Sequence, residues 1–208
     1  MAEDRPLPND ALRLLFLSIE EVMGKDGMKA VLHGAKMSQY INNYPPKNLN
    51  TEVHFSDYGK AEQAVEDFYG PRGAKAMLSR IGRGTFQYAL REQSAVLGLA
   101  GEALKKMPLL GMTAKMKLFL QQMVAAANKT VNLPQHLEET NDAFVVVTTE
   151  CPCQHRPAHA QACCAVSVGT YVEAMKWLTD KQYTVTEITC LNKGDDACRY
   201  RIPKEAAE

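Results

Sequence analysis

The chain has 208 residues, 46% apolar and 23% charged, an ordinary globular composition that suits one large domain or two small ones. Lysine plus arginine (24) equals aspartate plus glutamate (24). The basic excess of a nucleic-acid binder is therefore missing, and nothing in the totals points to an anionic membrane or an acidic partner. Residues 1–10 are polar and acidic and lack the apolar run of a secretory signal. No stretch approaches the roughly 18 apolar residues of a membrane span. The expectation is a cytoplasmic chain, in which six cysteines read as metal-binding, buried or redox-active rather than as a disulfide framework.

The first two thirds predict helices. Leu12, Leu15, Phe16, Ile19 and Val22 recur at helical spacing over 10–23, behind Asn9 or Asp10 as a cap. A weaker helix is expected over 27–40, before the loop Asn42-Asn43-Tyr44-Pro45-Pro46. Ser56 or Asp57 caps a short helix with Ala61, Val65 and Phe68 on one face, and Gly70 stops it. A long segment from Pro71 to Pro108 carries Phe86, Leu90, Leu97, Leu104 and Met107, with Gly98 and Gly101 marking a kink or a close helix contact. The next helix, 112–129, has the stripe Met112, Met116, Phe119, Leu120, Met123, Val124 and Ala127.

The last third changes character. Residues 137–140 and 143–149 read as strands around Asn141-Asp142, 162–178 as a helix ending near Trp177, and 183–191 and 198–202 as two further strands. The order β-β-α-β-β predicts an α+β fold, N-terminal helices packed with a four-stranded, mostly antiparallel sheet. It is read as a single domain over 1–208, with a helical part, 1–132, and an α/β part, 133–203.

Chemistry concentrates near the C-terminus. Cys190 and Cys198 flank a turn at Gly194-Asp195, Glu187 stands three residues before the first thiol, and Cys163 or Cys164 heads the preceding helix. Three thiolates and a carboxylate make a closed, four-coordinate zinc set. Glu187 is the awkward member: residues three apart on a strand face opposite sides, so it joins only where the strand bulges or ends. Upstream, Cys151-Pro-Cys153-Gln-His155-Arg-Pro-Ala-His159 offers thiols and imidazoles in a short loop. It reads as a polar loop with incidental cysteines, or else as a second metal site or redox pair that takes in Cys163. His33, His54 and His136 are isolated, and Gly82-Arg83-Gly84 lacks the strand and the third glycine of a dinucleotide loop.

The pattern Cys164-x22-Glu187-x2-Cys190-x7-Cys198, with Gly169 five residues after Cys164 and Gly194-Asp195 in the turn, resembles the 4-vinyl reductase domain family, most strongly over 135–203. That family includes the sensor domains of phenol- and xylene-responsive activators and is similar in fold to Bet-type subunits of the TRAPP tethering complex. The resemblance implies structural Zn2+ held by Cys164, Glu187, Cys190 and Cys198. It also implies a hydrophobic ligand between helices and sheet, lined by Phe86, Leu90, Met116, Phe119 and Trp177, and a homodimer through the N-terminal helices. Met107, Met112, Met116 and Met123 cluster in one helical hairpin and read first as core, although methionines also line adaptable apolar sites.

Three functions follow as expectations. The first is a zinc-containing binding domain that senses or carries a hydrophobic or aromatic small molecule. The second is a role in reducing the 4-vinyl group of a bacteriochlorophyll precursor, as enzyme or tetrapyrrole carrier; no nicotinamide or flavin motif supplies the hydride, and a saturated zinc leaves no open position. The third is an interaction scaffold, by fold analogy.

Overall fold

The computed structural model describes residues 3–92 and 99–207. Helix α1 (Asn9–Gly34) starts after Pro8 and buries Leu12, Leu15, Phe16 and Ile19 completely, the stripe its sequence spacing sets up. It is interrupted at Gly24, which takes a left-handed φ of 75°. Its second half ends at Gly34, earlier than expected, and Ser38–Tyr40 form one 3-10 turn instead.

Helix α2 (Phe55–Glu92) is the longest element. Gly70 does not end it but bends it: its φ of 69° breaks the helical path, and Pro71 restarts it where a missing N–H is not needed. Ala61 and Val65 are fully buried, whereas Phe68, in the last turn before the bend, is 62% exposed and meets only Tyr69 edge-on among the described rings. Leu97 and Gly98 lie outside the described residues. Helices α3 (Leu99–Lys105) and α4 (Met112–Ala126) follow, and α4 runs into a π-turn, Ala127–Val131, closed by Asn132 at a φ of 55°.

Strands β3 (Gln135–Glu139), β4 (Ala143–Thr148), β5 (Thr186–Thr189) and β6 (Cys198–Pro203) form one sheet of order β3-β4-β6-β5 in which every pairing is antiparallel. Helix α5 (Ala165–Thr179) connects its two halves. The short pair β1 (Pro6–Leu7) and β2 (Val53–His54), unforeseen from sequence, ties the N-terminus to the head of α2.

All of β4 is buried. Phe144 and Val146 join the core under the helices, while Val145 and Val147 on the opposite face stand in register with Arg201 and Arg199, whose stems suit them to covering apolar surface. Beside the small group at Val145 and Val147, two large apolar clusters lie among the described residues. One joins α1, the first part of α2 and the start of α5; the other joins α4, α5 and the sheet, and it contains all six cysteines. Each fully buried phenylalanine there, such as Phe119 or Phe144, contributes about 1.5–3 kcal/mol by burial. No helix among the described residues is long and apolar enough to cross a membrane.

Candidate metal centre and adjoining cavity

Three segments bring the six thiols together. Cys151 and Cys153 come from the 3-10 turn after β4, Cys163 and Cys164 from the head of α5, and Cys190 and Cys198 from the two ends of the β5–β6 turn. That turn is shaped by Gly194 at a φ of 99° and by Asp195, whose carboxylate accepts the Cys190 N–H at 2.8 Å. Every thiol is buried and none is in a disulfide.

The sulfurs lie 3.7 Å apart for Cys151–Cys164, 3.6 Å for Cys153–Cys198, 3.8 Å for Cys163–Cys190, 4.0 Å for Cys164–Cys190 and 3.8 Å for Cys164–Cys198. A tetrahedron with metal–sulfur arms of about 2.3 Å has edges of about 3.8 Å. Three four-membered sets have ligand atoms all within 4.8 Å of one another: Cys151, Cys153, Cys164 and Cys198; Cys153, Cys163, Cys164 and Cys190; and Cys164, Glu187, Cys190 and Cys198. The third is the set the sequence pattern names. Glu187 reaches it because β5 shifts register between Glu187 and Thr189, the bulge its spacing requires.

The donors fit a soft cation. Thiol hydrogen bonds, from Cys153 first, hold Cys151 and Cys190 below the ordinary thiol range. Their charge in turn pushes Cys153, Cys164 and Cys198 above it, Cys151 being the main cause for each. A buried group of thiols cannot ionise together unless cations compensate the charge. Burial, then the nearby Cys190, pushes the Glu187 carboxyl up to about 8; its Oε2 accepts the Cys164 N–H at 2.8 Å, while its Oε1 is buried without a hydrogen-bond partner. The Leu191 N–H points at the Cys198 sulfur at 3.3 Å, as a charged thiolate favours.

The loop 151–159 supplies two of the six clustered sulfurs. Its histidines point elsewhere. His159 has Nε2 2.9 Å from Glu66 and Nδ1 2.6 Å from the Pro157 carbonyl, and His155 lies 3.8 Å from Asp4. Two residues that sequence reasoning passed over hold this loop. Asn192 donates to the carbonyls of Cys153, Arg156 and Pro157 and accepts the His159 N–H at 2.7 Å. Arg156, with no side-chain exposure, donates to the Cys163 carbonyl at 2.9 Å and to Glu66 at 2.5 Å, with Glu62 at 3.6 Å. A lone arginine between two cysteines and a histidine was the available signal.

A cavity of about 210 Å³ adjoins the cluster, between α2, α4, α5 and the sheet. Phe86, Met123, Tyr58 and Tyr171 line its apolar walls, Thr85 and Thr170 add hydroxyls, and Cys151, Cys164 and Tyr200 form the side toward the sulfurs. The Tyr200 hydroxyl is buried without a hydrogen-bond partner. Of the residues expected around a ligand, Phe86 and Met123 line this cavity. Met116 and Phe119 are fully buried in the core, Leu90 packs on its edge, and Trp177, half-buried, is stacked with Phe86 and Phe119 and capped by the Lys105 ammonium. Met107 (49%) and Met112 (42%) are exposed at the ends of the α3–α4 connection.

No family model matches the chain, and no curated protein does. Solved structures do. An H-NOX protein from S. oneidensis in the Fe(II)NO ligation state matches with a TM-score of 0.58 at 14% identity, over 94% of this chain and 99% of that one. The phenol-responsive sensory domain of the transcription activator PoxR, with phenol, matches with a TM-score of 0.51 at 13% identity, over 77% of this chain and 78% of that one. A trafficking protein particle complex subunit 3 from Naegleria fowleri, covalently bound to palmitic acid, matches with a TM-score of 0.51 at 12% identity, over 74% of this chain and 97% of that one. The likeness to the phenol sensor and the trafficking subunit agrees with the sequence resemblance; the H-NOX likeness was not foreseen. At these identities it is the fold that is shared.

Proposed function

We propose that the chain is a small-molecule-binding domain, a sensor or carrier, in which structural zinc in the cysteine cluster supports a cavity for a compact hydrophobic or aromatic ligand. The observation that carries the reading is the cavity itself, apolar on most sides, with Thr85 and Thr170 among the residues that line it. At about 210 Å³ the space is below the roughly 300–1,000 Å³ of drug-sized sites, so a single substituted ring suits it better than a tetrapyrrole. Two of the fold's relatives carry phenol and an iron-bound NO, according to their descriptions. Among the described residues, no histidine lines the cavity here.

Membership of the 4-vinyl reductase family, a cytoplasmic location and a homodimer through the N-terminal helices belong to the same proposal. Sedimentation of the purified chain tests the dimer. The ligand reading is tested by titrating phenol and toluene while following Trp177 fluorescence, which the Phe86 contact, with ring centroids 6.1 Å apart, links to the cavity wall. Saturable binding that Ala89→Phe abolishes is expected. No binding by either probe or by extracted cell metabolites would move the reading to a scaffold.

A further inference from the structure

Two of the four-sulfur sets overlap in a specific way. Cys151, Cys153, Cys164 and Cys198 form one; Cys153, Cys163, Cys164 and Cys190 form the other. They share two sulfurs, those of Cys153 and Cys164, and each adds two of its own. Two tetrahedra that share an edge have this arrangement. From it we infer that the six cysteines form a binuclear zinc centre, in which Cys153 and Cys164 bridge both ions, Cys151 and Cys198 complete the first, and Cys163 and Cys190 complete the second. This rests on the metal-holding reading of the cluster and goes beyond the single Cys164, Glu187, Cys190 and Cys198 site that the sequence pattern names.

Within each set the sulfur–sulfur distances match a tetrahedral edge, while Cys190 and Cys198, terminal ligands of different ions that lie within 4.8 Å of one another, would move apart as two ions enter. The pairs Cys151–Cys164 and Cys153–Cys198, at 3.7 and 3.6 Å, join a terminal to a bridging sulfur at the first ion. Cys163–Cys190, at 3.8 Å, is the terminal edge of the second, and Cys164–Cys190, at 4.0 Å, joins it to a bridge. One zinc would take three or four of these sulfurs and leave the others as buried neutral thiols. Two zinc ions use all six.

Binding balances as two Zn2+ replacing six thiol protons, which leaves a net charge of minus two on the centre. One fixed cation lies beside it, the Arg156 guanidinium, which Glu62 and Glu66 share. The guanidinium of Arg156 reaches the Cys163 carbonyl, and the Leu191 N–H donates to Cys198. The Cys164 N–H is held by Glu187, which in this arrangement is a hydrogen-bonding neighbour and not a ligand. A polar cleft of about 700 Å³, lined by Cys163, His159, Glu66, Arg72 and Lys75, opens beside the second ion's position and gives metal a way in.

The test is metal stoichiometry of the full chain, purified without oxygen, loaded with zinc chloride and weighed by native mass spectrometry. Two zinc ions per chain, a zinc–zinc shell in X-ray absorption, and two coupled cadmium-113 resonances after exchange are expected. Glu187→Gln keeps two ions, and Cys163→Ser loses one. One zinc per chain in the unaltered protein overturns the binuclear centre and leaves a single-site metal reading standing. No zinc at all overturns both. Loss of zinc in Glu187→Gln, with its helical circular dichroism unchanged, places the carboxylate on the metal and also overturns this arrangement. The unaltered protein decides the count even if a variant fails to fold.

Discussion

Gly82 on α2 and Gly169 on α5 each face the other helix's backbone with no room for a side chain. A Cβ on Gly82 would lie 1.9 Å from the Val166 carbonyl oxygen, and one on Gly169 would lie 1.9 Å from that of Ser79. Thr170 closes the crossing by donating to the Gly82 carbonyl at 3.1 Å. Because the obstacles are main-chain atoms, no side chain can swing aside. Gly82→Ala or Gly169→Ala is expected to force the helices apart and destabilise the chain by about 3 kcal/mol or more, read as a drop in thermal midpoint. Gly70→Ala tests a different mechanism. Nothing lies within 4 Å of its Cβ, so its effect comes from the left-handed φ alone, about 1 kcal/mol.

Removing metal should loosen the sheet before the helices. In the proposed zinc centre, Cys190→Ser or Cys198→Ser takes a ligand from the β5–β6 turn, and a chelator takes the proposed ions themselves. Both are expected to lower stability by about 3 kcal/mol or more, since a tightly held ion binds only the folded chain. Urea unfolding with and without chelator measures it. Amide exchange should rise in β5 and β6 while α1 stays protected.

Arg156 holds a buried position that only its partners make tolerable. Its side chain has no exposure, and Glu62 and Glu66 beside it are 6% and 13% exposed. Arg156→Met leaves the buried Glu66 carboxylate without its guanidinium and is expected to cost about 3–5 kcal/mol in urea unfolding. Arg156→Lys should recover only part of this, because an ammonium cannot also reach Gln63 and the Cys163 carbonyl as the guanidinium fork does.

Burial pushes the Glu62 carboxyl up to about 8 from an ordinary 4.5, outweighing the Arg156 charge beside it. The folded chain therefore keeps a proton that the unfolded chain has released. Its contribution to stability is complete below about pH 4.5 and falls away as pH rises through about 8. Glu62→Gln should flatten this decline and make the chain more stable than the unaltered protein at about pH 8. Thermal midpoints measured across that range, with zinc held constant, check it.

The order of elements was legible because periodicity is local. The stripe Leu12, Leu15, Phe16, Ile19, the apolar run of β4 and the alternation in β6 need only neighbouring residues. Helix ends were harder. Gly70 carries the same glycine whether it stops a helix or bends one, and only the contacts of the next turn decide. The Cys164–Cys198 spacing was readable because all its members sit within 35 positions. Cys151 and Cys153 were not placed, because a loop gives no direction from sequence. The partners that fix it, Asn192 and Glu66, are 39 and 90 residues from the groups they bind. Gly82 looked like a remnant of a nucleotide loop because its real neighbour, Val166, comes 84 positions later.

The wall common to cavity and cluster has an optical consequence. Cys151 and Cys164 line the cavity, so a guest there rests against two of the sulfurs that would bind metal. In a cobalt-loaded chain, the colour of the sulfur-to-metal transitions would then report directly on whether the cavity is filled, and the protein would carry its own indicator of occupancy.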